Sequence, residues 1–236
     1  MRKPFVHLWR WVIILAMPVF LCLTVARALV SEAYLRYEYG KPDFPADSYG
    51  FTQQQRLELA TVSIQFLWRK EPAEQAISML TAQQLPGTDK PLFTRYELSH
   101  MMDVKRFTDR LWRIHLGTAV LVLGGLALLL SQRETHRVAF NALFGGGVLT
   151  AGLLLFLTAF VLLGWRTFFI GFHDLFFPPG TWTFDWSDSL IRLFPDRFWF
   201  DAGTIVTAGT LVAGVAISGI GYWLGRRGAR RVTSNE

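Results

Sequence analysis

The sequence predicts an all-α membrane protein: a four-transmembrane-helix bundle with an extracytoplasmic cap formed by the first and second outer loops. Three observations predict it. Apolar residues gather into four long blocks, basic residues cluster beside the ends of those blocks on one side, and the long segments between them are nearly neutral. With 51% hydrophobic residues in a chain of 236, there is more apolar side chain than a soluble core of this length needs.

The first block runs from Trp11 to Ala26, is broken by Arg27 and resumes to Val30. Its single Cys22 reads as a small apolar filler, because a lone cysteine has no internal disulfide partner and the bulky Leu21 before it makes a poor lipobox. Ala26-Arg27-Ala28 resembles a signal-peptide cleavage site. Cleavage would leave three spans and strand one basic group outside, so the block is expected to stay as a span. Leu116 to Leu130 is the second block, short unless it begins near Leu111; Val138 to Trp165 is the third and Ala202 to Leu224 the fourth. Each reaches or approaches the roughly 20 residues that cross about 30 Å of hydrocarbon. The expected division is 1–30 for the N-terminus and first span, 31–109 for the cap, and 110–165 for spans two and three with a short turn. Residues 166–201 form an aromatic outer loop, and 202–236 the fourth span with a basic tail.

The net charge of +6 is unevenly spread. Arg2, Lys3 and Arg10 precede the first span, Arg133 and Arg137 lie in the turn between the second and third, and Arg226, Arg227, Arg230 and Arg231 follow the fourth. Only Glu134 and Glu236 oppose them there, and the rest of the chain is close to neutral. This positive-inside pattern places both termini in the cytoplasm and both loops outside. It also argues against nucleic acid, which asks for clustered charge on one folded domain.

The first outer segment opens with Tyr34, Tyr37 and Tyr39, suited to an interfacial belt. Pro42, Pro45 and Gly50 mark irregular chain. Thr52 and Gln55 then form a T-x-x-Q capping box, followed by Leu57, Ala60, Ile64, Leu67 and Trp68 at helical spacing. Pro72 fits the first turn of another helix that ends before Pro86-Gly87. The second outer segment is too aromatic for a solvated loop, with Phe168, Phe169, Phe172, Phe176, Phe177, Trp182 and Phe184 among its residues. It reads as half-buried at headgroup level or as the lining of an acyl pocket.

Of five histidines, His7 and His136 fall among the cytoplasmic basic residues and read as solvated or headgroup-facing, and His115 near the outer start of span two reads as packing or hydrogen bonding. His100 precedes span two and His173 follows span three. A very short turn makes these spans antiparallel neighbours, whose outer ends lie about 10 Å apart. The two histidines are therefore expected to converge. With Ser99 as an N-cap, His100 and Asp103 share a helix face at i and i+3. Asp174 adjoins His173, and a carboxylate can fix a histidine's tautomer.

Glu97-Leu-Ser-His100-Met-Met-Asp103-Val-Lys105 resembles the E-L-x-H-M-x-D-V-K motif of the lipoprotein intramolecular transacylases. Phe172-His173-Asp174-Leu-Phe176-Phe177, followed by Trp182, Phe184, Asp188 and Phe194-Pro195, resembles that family's second motif. The resemblance covers essentially the whole chain. It implies that the sn-2 acyl chain of a diacylglyceryl-cysteine lipoprotein moves to its own α-amino group, giving a lyso-form lipoprotein, with His100 and His173 catalytic and no cofactor or metal. The partners implied are a diacylated lipoprotein and membrane lipids. His173 is taken as general base and His100 as electrostatic or acid partner, with the reverse left open. Glu97, Asp103, Lys105, Phe172, Asp174, Phe176, Phe177, Trp182 and Asp188 are expected to support the site or bind substrate.

Two other functions fit the residues alone. His100, Asp103, His173 and Asp174 are plausible ligands for a metal-dependent membrane enzyme, although no H-E-x-x-H pair is present. The aromatic loop also suits a non-enzymatic lipid- or lipoprotein-binding or assembly protein. No phosphate-cradling glycine loop or G-x-S-x-G elbow occurs, and Gly145-Gly146-Gly147 within a span reads as close helix packing.

Overall fold

Hydropathic blocks and helical spacing both become helix, and among the described residues the β pairing is confined to an isolated bridge between Gln84 and Pro91. The structure, a computed structural model, describes residues 2–233, with backbone alone for 228–233. The tail cations Arg230 and Arg231 and the terminal Glu236 therefore carry side chains outside the described residues. In chain order the helices are α1 (Lys3–Leu29), α2 (Glu32–Tyr39), α3 (Gln53–Trp68), α4 (Ala73–Ala76), α5 (Ser78–Thr81), α6 (Arg95–Ala119), α7 (Gly125–Leu130), α8 (His136–Leu163), α9 (Trp165–Phe176), α10 (Ser189–Leu193) and α11 (Asp196–Thr233).

One unit gathers Met1–Ala26, Trp112–Leu163 and Thr204–Glu236. The helices that supply it include four long and apolar enough to cross a membrane: Lys3–Leu29, Arg95–Leu130, Arg133–Leu163 and Asp196–Arg227. The second block, short by hydropathy, gains its length because α6 starts at Arg95 and runs through a π turn, Val120–Gly124, into α7. Its apolar block is Leu116 to Leu130, and the charged turns from Arg95 onward precede it.

Small residues bring α8 and α11 together backbone to backbone. A Cβ on Gly147 would stand 2.4 Å from Ser218 N and 2.5 Å from Gly214 O, and one on Gly221 would stand 2.5 Å from Phe144 N. Without a hydrophobic drive between helices in lipid, such close van der Waals approach is what holds spans together. The triple glycine thus packs as its sequence implies. Ile13 and Met17 of α1, Val122, Leu129 of α7, and Ala139 and Ala142 of α8 complete the buried core.

The histidines of this unit have structural partners. His115 lies 2.9 Å from Thr24 Oγ1 and stacks on Phe20, as packing or hydrogen bonding requires. His136 has a partner as well: at a partly exposed position its Nε2 lies 2.9 Å from the Leu130 carbonyl. A carbonyl can only accept, so His136 donates there and satisfies an orphan acceptor at the end of α7.

The other unit joins Arg27–Leu111 to Gly164–Gly203, so the two long segments between spans fold together. Its tyrosines correct the belt reading. Tyr34 and Tyr39 are buried, donating their hydroxyls to the carbonyls of Phe198 and Leu193 respectively, and only Tyr37 of the three is exposed. The acceptors decide this: each buried hydroxyl reaches a backbone carbonyl more than 150 residues along the chain.

The Thr52–Gln55 capping box of α3 forms reciprocally. The buried stripe of that helix is Arg56, Ala60, Ser63 and Phe66, rotated from the purely apolar stripe. Arg56 accounts for the rotation: it donates to the carbonyls of Pro45 and Arg192 and lies over the Phe44 ring. Its inward face carries hydrogen-bond demand that hydropathy does not register. Nearby, Arg192 makes a two-pronged contact to Asp47 at 3.0 and 3.1 Å.

Candidate active site

The site is set by the first turn of α6. Thr94 Oγ1 accepts from Glu97 N at 3.2 Å, and Glu97 Oε2 accepts from Thr94 N at 2.7 Å. This reciprocal box makes Thr94 the cap and corrects the assignment to Ser99, which lies in the second turn. Thr94 has a glutamate three residues on, whereas Ser99 has Met102 and no group to return the bond.

The other oxygen of Glu97 accepts from Leu190 N at 2.8 Å, and Ser189 Oγ donates to the Leu92 carbonyl at 2.5 Å. One buried carboxylate therefore joins the start of α6 to the start of α10. Burial pushes its pKa up, against the pull of the Thr94 and Leu190 amides. Glu97 positions the backbone around the site and faces no open space.

His100 follows one turn later and is 8% exposed. Phe177 and Phe184 present edges to it at 5.0 and 5.3 Å, and the His173 ring lies parallel within 26° at 6.4 Å. Its Nδ1 is buried with no hydrogen-bond partner in the protein. Burial, then the nearby His173, push its pKa down to about 4, against an upward pull from Asp103. It is a neutral imidazole near pH 7. Asp103 itself is paired with Arg106 at 2.8 Å, and Arg106 also holds Glu74.

His173 sits in α9, and its Nδ1 lies 2.8 Å from the Phe169 carbonyl. The carbonyl can only accept, so Nδ1 carries the proton. In the neutral ring Nε2 then holds the lone pair. The tautomer is fixed by backbone one turn earlier and not by Asp174, which is exposed on the next position of the helix. Consecutive helical residues point about 100° apart, which takes the adjoining carboxylate off the imidazole. Burial pushes the His173 pKa below its ordinary value, while the Phe169 carbonyl and the Asp174 charge oppose it.

Aromatic rings wall this imidazole. Phe169 is 4.1 Å away, Trp182 4.8 Å, and Phe172 and Phe177 each 5.5 Å. Trp182 is delivered by a turn over Pro178-Pro179-Gly180-Thr181, closed by Thr181 N to the Pro178 carbonyl at 3.2 Å, with Gly180 at φ +80°. Proline at the second position and a positive-φ glycine at the third are the type II pattern. Phe107 meets Phe176 at 4.7 Å, Phe177 at 5.7 Å and Phe172 at 6.0 Å, continuing the apolar wall.

Of the other expected residues, Lys105 is fully buried but turned elsewhere. Its Nζ donates to the Arg69 carbonyl at 2.8 Å and to Asp109 at 3.1 Å, tying α6 to the end of α3. Asp188 accepts from Asp185 N at 2.9 Å and shapes the loop before α10. Phe107 was not singled out in the sequence, and Phe184 was named only as part of the second motif and the aromatic loop, without a place in the site. Phe107 lies seven positions after His100, on the same helix face, and that spacing is the signal that marks it. Phe184 owes its place to the Trp182 loop, for which no periodicity exists.

Among the described residues, no three His, Cys, Asp or Glu side chains gather as a metal-binding group. Asp103 faces Arg106, and His173 Nδ1 faces a carbonyl. What the site offers is two neutral imidazoles, one with a lone pair in a fixed direction, inside aromatic walls.

The family model described as lipoprotein intramolecular transacylase Lit matches residues 10–199, a range that contains every site residue above. An uncharacterized protein of Aquifex aeolicus (strain VF5) is 30% identical over 192 residues, covering 81% of this chain and 83% of the relative. The solved membrane integral lipoprotein intramolecular transacylase Lit from Bacillus cereus aligns with a TM-score of 0.77 at 19% identity, over 96% of this chain and 98% of its own. A histidine-to-alanine variant of that enzyme aligns with a TM-score of 0.69 at 18% identity, over 95% of this chain and 96% of its own. These structural likenesses establish a shared helical fold, and the family match, extending over most of the sequence, establishes more: the chain belongs to the lipoprotein intramolecular transacylase family and is a multi-pass membrane acyltransferase.

Proposed function

We propose that this transacylase moves the sn-2 acyl chain of a diacylglyceryl-cysteine lipoprotein to that cysteine's α-amino group, with His173 Nε2 as general base and His100 as its partner. The observation that carries the assignment is the hydrogen bond from His173 Nδ1 to the Phe169 carbonyl, which leaves Nε2 free to take a proton.

An α-amino group with a pKa of about 7.7–8.0 is largely protonated near neutrality. A histidine whose own pKa is pushed down is unprotonated and available there. The nitrogen gives up one ammonium proton to water on entering the site, and a second to His173 Nε2 as it attacks the ester carbonyl. A C–N bond forms, and the carbonyl oxygen carries the developing negative charge. Collapse breaks the bond to the sn-2 glyceryl oxygen, which receives the proton back from His173. Ester becomes amide with atoms conserved, a downhill exchange that needs no nucleotide. His100, 6.4 Å from His173 and with an unpartnered Nδ1, is placed to hold the intermediate by a hydrogen bond.

Nucleophile and ester belong to one molecule, so the main task is to fold that molecule into reacting geometry. Correct positioning is worth up to about 7–11 kcal/mol in well-oriented systems. Phe107, Phe172, Phe176 and Phe177 form an apolar wall suited to an acyl chain and to excluding water. The clustering of Arg2, Lys3, Arg10, Arg133, Arg137, Arg226 and Arg227 supports cytoplasmic termini and a site on the outer face, where mature lipoproteins lie.

The test is expression in a bacterium that makes diacyl lipoproteins, followed by mass spectrometry of lipoprotein N-termini. The reading expects an N-acyl, lyso-glyceryl species. Membrane-inserted, folded protein with unchanged acyl positions contradicts it.

A further inference from the structure

The Trp182 indole Nε1 is buried and has no hydrogen-bond partner in the protein. An indole N–H is a donor only, and buried ones normally find an acceptor. Trp68 and Trp165 follow that rule in this fold, donating to the Val30 carbonyl at 2.7 Å and to Asp196 at 2.8 Å. A buried donor left unmade is destabilising, and such a group asks for a reason.

Its location supplies one. The Trp182 ring lies 4.8 Å from the imidazole of His173, tilted by 36°, and is edge-on to Phe169 at 6.5 Å. The Pro178–Thr181 turn fixes the backbone before it, and the Asp188 side chain holds Asp185 N after it. A stiff loop thus presents a donor that the protein leaves unused beside the base. Resting on the acyl-transfer reading above, we propose that Trp182 is a further catalytic residue, whose N–H receives the substrate's ester carbonyl oxygen and holds the oxyanion that forms on it.

The chemistry has use for such a group alongside His100, since an oxyanion accepts more than one hydrogen bond. When nitrogen adds to the carbonyl carbon, the C=O π pair moves to oxygen, and a donor already in place lowers that barrier without reorganising. His173 is engaged with the amine proton and, through Nδ1, with the Phe169 carbonyl. The indole keeps its proton throughout; it stabilises charge and transfers nothing. On collapse the pair returns to the carbonyl as the glyceryl oxygen leaves.

The test uses the purified full chain in liposomes with a synthetic diacylglyceryl-cysteine lipopeptide. Three proteins are compared: wild type, Trp182→Phe, and a protein carrying β-(3-benzothienyl)alanine at Trp182, which keeps the bicyclic shape and replaces N–H by sulfur. Both altered proteins are expected to lose about 10²-fold in kcat, the effect of removing one oxyanion donor. KM should stay within about threefold and the midpoint of the acid limb should not move, because the base is untouched. A benzothienyl protein at wild-type rate overturns the proposal, since shape alone then suffices; so does a loss of rate with a displaced acid limb, which marks a packing role. Wild-type conversion with undiminished Trp182→Phe overturns the Trp182 assignment alone. Wild-type protein that leaves the acyl chain on glycerol overturns the transacylase reading and this assignment with it.

Discussion

His173 gives its Nδ1 proton to the Phe169 carbonyl, 2.8 Å away and one helical turn earlier in α9. This contact orients the imidazole without placing a charge beside it. A carboxylate partner would hold the ring's proton more strongly and raise its pKa; the carbonyl fixes the tautomer while burial keeps the ring neutral.

The first consequence is a pH profile. The base works when unprotonated, so activity is present above the His173 pKa in the folded enzyme and is lost as pH falls through it. Because burial pushes that pKa below the ordinary histidine value of about 6.5, the acid limb of kcat/KM should have its midpoint below pH 6.5. Initial rates on lipopeptide across pH 4.5–8 measure this, and a midpoint at or above 6.5 contradicts it.

His100 links pH to stability. Its pKa is about 4 when folded against about 6.5 in an unfolded chain. Between those values the unfolded state binds more protons, so stability is complete above about pH 6.5 and declines as pH falls toward 4. The melting temperature of wild type should therefore drop over that window more steeply than that of His100→Gln, which has nothing to titrate there. Parallel curves in thermal-shift measurements count against the buried neutral imidazole.

Glu97→Ala removes the acceptor for two backbone amides, Thr94 N and Leu190 N. A lost cap costs about 1 kcal/mol and a stranded buried donor about 1–3. The variant should be less stable by about 2–4 kcal/mol, with acyl transfer impaired because α6 and the α10 segment lose their common anchor. Glu97→Gln retains one acceptor oxygen and should fall between. Denaturation in detergent, read alongside activity, tests the order.

Lys105→Met separates structure from chemistry. It deletes the bonds to the Arg69 carbonyl and Asp109 while filling the same buried space. Stability should fall by about 2 kcal/mol, whereas folded protein should show an unchanged acid limb. A displaced limb would bring Lys105 into the reaction.

Gly147→Leu addresses the membrane-spanning helices. A Cβ alone at Gly147 meets Ser218 N at 2.4 Å, so a leucine forces α8 and α11 apart. Loss of monodisperse protein on size exclusion in detergent is expected, while Gly219→Ala, at a position open to space, is tolerated.

Much of this was legible in the sequence, and what was not has physical causes. The four spans follow from hydropathy, because lipid requires apolar runs of that length. The meeting of His100 with His173 follows from the short turn between two antiparallel helices. The Thr94–Glu97 cap was within reach of the same rule that found Thr52–Gln55, but a serine beside the histidine drew the assignment to Ser99, five positions past the true cap. The inward turn of Tyr34, Tyr39 and Arg56 was not legible, because their acceptors are carbonyls far along the chain that carry no residue signature. The His173 tautomer was missed for the same reason: Asp174 is visible as a letter, and the Phe169 carbonyl is visible only once α9 is built.

The central claim is that two histidines move an acyl chain within one molecule. A diacylglyceryl-cysteine lipopeptide with a deuterated sn-2 acyl chain, incubated with purified protein and read by tandem mass spectrometry, tests it most directly. The account predicts unchanged total mass with deuterium moved to the α-nitrogen, no label on an unlabelled lipopeptide in the same tube, and no transfer by His173→Ala or His100→Ala. Label that stays on glycerol, leaves as free acid, crosses to the second lipopeptide, or moves undiminished in both histidine variants would contradict it.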